Sequence, residues 1–207
     1  MPIEILDTNS SNSHSPPETA PEAPKTLTLE LVGQLGTASF HVPTIGALID
    51  VERENPSISP GELCRRLAEI SLIDWAGSPK TPSDDEIDIE DDFAIIELFS
   101  AAITPDNSFE VLPDKSHQVE LTVGKVTFRR PSRVDARKAE QLTKSGAGQV
   151  NADIAWACGL CMTWWRSDRP IMPADFDKLP LDDYAKLQAA LKAFFRRRAQ
   201  NDRAGVS

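Results

Sequence analysis

Cysteine, histidine and tyrosine are scarce in this 207-residue chain, at three, three and one. Three cysteines (Cys64, Cys158, Cys161) are an odd number without framework spacing. That excludes a disulfide-stapled scaffold and suits reduced thiols in a cytosol. His14, His41 and His117 are scattered and give no pair at metal-ligand spacing. No apolar run approaches the ~20 residues needed to cross a bilayer. The first residues, MPIEILDTNSSN, have no basic region followed by an apolar one, which argues against a secretory signal. The small-residue stretch SGAGQ at 145–149 lacks the phosphate-loop pattern and follows a predicted helix, so it reads as a connector. No Ser/His/Asp or Cys/His set stands out as nucleophile and base, and no cofactor motif is present, so the expectation is a non-enzyme.

What is there is charge, unevenly spread. The formal net charge is −10. Residues 26–110 hold 17 acids and 4 bases, net −13, whereas residues 111–207 hold 11 acids and 17 bases, net +6. An acidic front and a basic rear favour a charged partner or self-association between the two. Residues 1–25 are dominated by Ser, Pro, Asn, Thr, Glu and Ala, with too little apolar area to offset the entropy of ordering. They read as a disordered tail.

Beyond the tail the sequence repeats itself. TASFHVP at 37–43 matches KVTFRRP at 125–131, and Glu52 matches Glu140, all 88 positions on. PKTPSD at 79–84 matches PIMPAD at 170–175, and DDF at 91–93 matches DDY at 182–184, both 91 on. Each copy begins with apolar–polar alternation, LTLELVGQL at 27–35 and QVELTV at 118–123, as in half-buried strands. Gly36 and Gly124 supply turns, and returning strands TASFHV and KVTFRR complete two β-hairpins. Thr44, Ser132 and Ser59 are predicted helix N-caps, with Pro60 in the first helical position. Helices are predicted over 45–54, 60–75 and 90–103, then over 133–144, 150–166 and 181–199. The prolines and turn formers of 104–116 mark a break between the copies. The expected fold is α+β: a tail (1–25) and two tandem units of a β-hairpin plus three helices, 26–107 and 108–207. A unit of that size gains stability by packing on its twin.

The stretch WACGLCMTWW at 156–165 holds a C-x-x-C and three of the four tryptophans. A redox pair needs its nucleophilic cysteine exposed at a helix N-terminus, and Cys158 falls two turns into a predicted helix. Zinc would need two further ligands. The expectation is two small apolar residues in a helix interior, with thiol-redox or zinc chemistry at Cys158/Cys161 as the outlying alternative. The acidic run DDEIDIEDD at 84–92 lacks the calcium-loop spacing and reads as a solvated loop entering a helix. Arg129, Arg130, Arg133, Arg137 and Lys138, with FFRRR at 194–198, could meet phosphates, but no nucleic-acid motif accompanies them, and an acidic protein surface, including the first unit of another copy, suits them equally well. Trp75, Trp164, Trp165, Phe194 and Phe195, with Arg130, Arg133 and Arg137, are the candidate partner-binding residues, since aromatic and arginine side chains anchor interfaces.

The ending VTFRRPSRVDARKAEQL, followed by LPLDDYAKLQAALKAFF, resembles the tail assembly chaperones of Mu-like and P2-like contractile-tailed bacteriophages. The matching positions are Arg130, Pro131, Leu179, Asp183, Tyr184, Leu187, Gln188, Phe194 and Phe195. The resemblance covers about 117–198, and more faintly 29–103 through the repeat. It implies a non-enzymatic protein acting in the host cytoplasm. There it would bind the long helical tape-measure protein while tail tube protein assembles, with no cofactor, nucleic acid or membrane. A second reading of the same fold is a structural component of the virion, at the baseplate or tail end.

Overall fold

Alternating residues in TLTLEL and GTASFH form the first hairpin, β1 (Thr26–Leu31) antiparallel to β2 (Gly36–His41), with Thr26 opposite His41. The computed structural model describes residues 26–32, 36–104, 108–144, 148–166 and 168–201, without the side chains of 143, 144 and 196–201. The predicted tail and most of the SGAGQ connector therefore lie outside the described residues. After β2 come α1 (Ile45–Glu54), α2 (Pro60–Ser71), β3 (Leu72–Trp75) and α3 (Ile89–Ile103). The chain continues through β4 (Phe109–Val111), β5 (His117–Leu121), β6 (Gly124–Phe128), α4 (Arg133–Lys144), α5 (Gln149–Leu160), β7 (Cys161–Thr163) and α6 (Leu181–Asn201). The fold is mixed α+β, with two antiparallel sheets ordered β1-β2-β3 and β4-β5-β6-β7.

The caps follow the sequence. Thr44 Oγ1 accepts from Ala47 N at 3.2 Å, and Ser59 Oγ accepts from Glu62 N at 3.2 Å with Pro60 at the helix start. At α4, Ser132 and Asp135 form a reciprocal capping box. Asp135 N donates to Ser132 Oγ, and Ser132 N donates to Asp135 Oδ2. Arg129 closes on the same carboxylate with two bonds of 2.7 and 2.9 Å. These bonds hold the Asp135 carboxyl well below the usual range.

The middle helices are shorter than their apolar patterns predict. The chain leaves helical geometry at Leu72 (ψ 129°) and at Cys161 (ψ 129°). Residues 72–75 and 161–163 then pair with the open edges of β2 and β6. Those edges would otherwise present unpaired backbone groups, and a short extended segment satisfies them. The predicted break at 104–116 likewise contains a strand, β4, on the free edge of β5.

One hydrophobic cluster runs through both halves, with Phe40, Phe99, Phe128, Phe176, Leu181 and Leu187 fully buried in it. α6 is its spine and touches α1, α3, α5, β4 and β5. Its small residues Ala185, Ala189 and Ala190 are buried, which permits close approach from several sides. Backbone bonds also stitch the halves. Ile45 N donates to Leu179 O, Gly46 N to Asp177 O and Leu181 N to Pro43 O, at 2.8–3.0 Å. Position 46 requires glycine, because a Cβ there would stand 2.8 Å from the Asp177 carbonyl oxygen. α5 opens on Gly148, which has no capping side chain. Glu52 of α1 supplies the cap instead, accepting from Gln149 N and Val150 N at 3.0 Å each. An anionic carboxylate at a helix N-terminus is stabilised by the orphan amides and the dipole.

Candidate functional site

The C-x-x-C straddles a junction. Cys158 closes α5 and Cys161 opens β7, both half-buried against the core. The Cys161 thiol donates to Thr163 O at 3.4 Å. Burial pushes the Cys158 thiol up to about 12, aided by neighbouring Cys161 and Asp175, and pushes Cys161 up to about 11. A reactive or metal-binding cysteine needs the opposite shift. Iodoacetamide at pH about 8 should therefore alkylate both at least about 100-fold more slowly than free cysteine, because the thiolate fraction is suppressed. Labelling at the free-cysteine rate, read by mass spectrometry, would revive the redox alternative. Among the described residues no group of three or more His, Cys, Asp or Glu side chains is placed to hold a metal ion. No described helix is long and apolar enough to cross a membrane.

The predicted partner residues do not converge on one surface. Trp75 ends β3 opposite Ala38 and is buried. Trp164 and Trp165 follow β7, half-buried, with ring centroids 5.1 Å apart. Trp165 meets buried Phe176 edge-on at 5.8 Å, and the Arg169 guanidinium lies 5.5 Å over Trp164. Phe194 stacks on buried His117 at 3.7 Å, and the His117 Nδ1–H donates to Ala190 O at 2.7 Å. Phe195 is 47% exposed and meets Trp156 edge-on at 5.2 Å. Trp156 in turn lines a small groove between α4 and α5, with Lys138 and Leu142. Arg130, Arg133 and Arg137 are exposed at the start of α4 and along it. Phe195 and the basic face of α4 thus flank the same helix pair, while Trp75, Trp164, Trp165 and Phe194 face inward.

The DY…Q letters of α6 also point inward. Asp183 is fully buried, and both its carboxylate oxygens accept from Thr122 N in the β5–β6 turn, at 3.0 Å. The Tyr184 hydroxyl donates to Asp153 Oδ2 at 2.9 Å, and Gln188 Nε2 donates to the same oxygen at 3.1 Å. Burial, then the Asp153 charge, raises the Tyr184 hydroxyl well above its ordinary range. These three residues lock α6 to the hairpin and to α5.

One opening was not predicted. A cleft of about 450 Å³ lies beside α2 and α3 in the first half, under the segment 81–87. β2 and β3 floor it with Phe40, Leu72 and Trp75. Carboxylates ring it: Glu62, Glu69, Asp84 and Asp92, against the single cation Arg65. Arg65 is held by Asp92 through two bonds of 2.7 Å, which keeps the Asp92 carboxyl below its usual range. Ile89 lines it, and Phe93, one turn further along α3, stands outside the lining; the two are 64% and 63% exposed. The available signal was the set of large apolar residues Ile87, Ile89 and Phe93 inside an acidic run, where a solvated loop has no need of them.

Residues 115–196, from the approach to β5 almost to the end of α6, match the family model described as "Phage tail assembly chaperone proteins, E, or 41 or 14". Neither the curated proteins nor the solved structures give a match. The matched stretch, about two fifths of the chain, contains the hairpin, the α4–α5 pair and the α6 residues just described, and over that stretch the chain is similar to the phage tail assembly chaperone family.

Proposed function

We propose that the chain is a non-enzymatic tail assembly chaperone that binds the tape-measure protein during tail morphogenesis in the host cytoplasm. The observation that carries this reading is the family match over 115–196. The physics of the task agrees with it. A tape measure is a long helical protein whose apolar stripes aggregate unless covered, and aromatic–basic surfaces such as Phe195 with α4 suit helix-in-groove contacts. On this reading Phe195, Arg130, Arg133 and Arg137 meet the partner directly. The acidic first half and basic second half remain available for self-association or for tail tube protein.

We also infer that the two halves, 26–107 and 108–207, are copies of one unit. Both contain the order strand, strand, helix, helix, strand, helix, to which the second half adds a leading strand, β4, and a 3₁₀ turn before α6. The pairing register slips between Ser39 and Phe40 in one sheet and between Thr127 and Phe128, 88 positions on, in the other. Asp91 in α3 accepts from Val32 N at 2.7 Å, the task Asp183 performs for Thr122. Asp91 therefore pairs with Asp183, one residue further along than the alignment of DDF with DDY.

Co-expression tests the chaperone reading. The soluble fraction of a tape-measure protein from the same genome should rise several-fold with the chain present, and the two should co-purify. A tape measure equally soluble alone would sink the proposal. Mass spectrometry of purified particles should find no stoichiometric copy of the chain, and finding one would assign it to the virion.

A further inference from the structure

The first-half cleft is a hole where the second half has a plug. In the second half the segment PIMPADF (170–176) turns through a short 3₁₀ turn, Pro173–Asp175, that packs on α5. It drives Phe176 to full burial beside Trp165. In the first half the corresponding segment is PKTPSDD (79–85), and the residue in the place of Phe176 is Asp85, which is exposed. No side chain of that segment fills the space over Leu72 and Trp75, and the cleft of about 450 Å³ results. A space that size is far larger than the packing voids of a protein interior. Its floor is apolar, and the exposed pair Ile89 and Phe93 carries the apolar surface outward along α3.

We propose that this cleft is a docking site for a cationic amphipathic helix of a partner protein, which seats a large apolar side chain where the second half seats Phe176. The inference rests on the pairing of the two halves proposed above and goes beyond the tail-assembly reading. Charge selects the occupant. Four carboxylates and one guanidinium line the cleft, and seven of the nine residues in 84–92 are acidic. A helix with lysine or arginine flanking an apolar stripe matches both the floor and the rim. The chain's own N-terminal residues 1–25 carry four acids and one base, so they are repelled. The position of Arg65 fits as well. It is tied to Asp92 and Glu62 within the wall, and Glu69 is held by Arg66 at 2.6 Å, which leaves Asp84 at the rim to face an incoming cation.

The test uses the full chain and a synthetic Leu/Lys amphipathic helix of about 18 residues carrying one phenylalanine on its apolar face. Calorimetry should give micromolar binding that weakens with salt. A scrambled peptide of the same composition should bind at least about 10-fold more weakly, and so should the wild-type peptide to I89E/F93E. Both substituted positions are exposed, so circular dichroism should show the variant folded. Equal affinity for the scrambled peptide, or an unchanged affinity of I89E/F93E, would overturn the proposal. So would self-association of the chain that I89E/F93E abolishes, since the occupant would then be a second copy. The tape-measure co-expression reads the tail-assembly proposal separately. A chain that solubilises the tape measure but ignores the peptide loses only the cleft inference.

Discussion

Replacing Phe176 with alanine should destabilise the fold by about 4 kcal/mol, read as a lower urea midpoint at unchanged slope. Phe176 is fully buried and meets Trp165 edge-on. The segment that follows it buries the Leu179 side chain in the shared core and also lends its backbone: Asp177 O and Leu179 O accept from the first turn of α1. Truncation therefore removes a large apolar side chain and loosens the strand-like contact that ties the halves. Phe176→Leu keeps most of the volume and should cost under about 1.5 kcal/mol. The contrast is Phe93→Ala, at an exposed ring, where the change should stay within about 0.5 kcal/mol. If Phe176→Ala cost no more than Phe93→Ala, Phe176 would not be the plug that the comparison of the two halves makes it.

Much of the fold was written in local pattern. Alternation in 27–31 and 118–121 marks the hairpins, and Thr44, Ser59, Pro60 and Ser132 mark helix starts because each does a job its neighbours dictate. What local pattern missed are the elements defined by distant partners. Leu72–Trp75 and Cys161–Thr163 continue the apolar character of the helices before them, and only the open edges of β2 and β6 make them strands. β4 is three residues long and is a strand only because β5 lies beside it. Glu52 looks like a surface acid of α1 until α5 is brought to it. The same logic explains the candidate site. Aromatic and arginine content made Phe195 and the arginines of α4 candidates alongside Trp75 and Phe194, but exposure is decided by packing. Trp75 and Phe194 carry the same residue types and face inward. The cleft was hidden for a further reason: it is an absence, visible only once Phe176 shows what the equivalent space holds.

Asp183→Ala should cost about 2 kcal/mol at neutral pH, because a buried bond to a charged acceptor is lost and the β5–β6 turn loses its tether to α6. Asp183→Asn keeps one acceptor oxygen for Thr122 N and should cost much less. The pH dependence separates the two roles of this carboxylate. Burial raises the Asp183 carboxyl above its ordinary range, against the bonds from Thr122 and the nearby Lys186 ammonium, which lower it. A raised folded-state value means the native protein binds the proton more tightly than the unfolded chain. Its stabilising contribution is then fully present below the ordinary aspartate range and is lost as pH rises through the raised value. Asp92, Asp135 and Asp175 behave in the opposite sense. Each is held below its ordinary range, chiefly by a hydrogen-bonded arginine, so their contributions hold above that range and fall away as pH drops through it. The windows lie on opposite sides of the ordinary aspartate value of ~3.9. Urea titrations between pH about 4 and about 7 therefore isolate Asp183, and the wild type should lose stability relative to Asp183→Asn as pH rises across that interval. A flat difference would mean that the buried carboxylate is fully compensated by its turn amide. A difference of the opposite slope would mean that the helix N-terminus and Thr122 outweigh burial, and that the native protein holds Asp183 as a favoured anion.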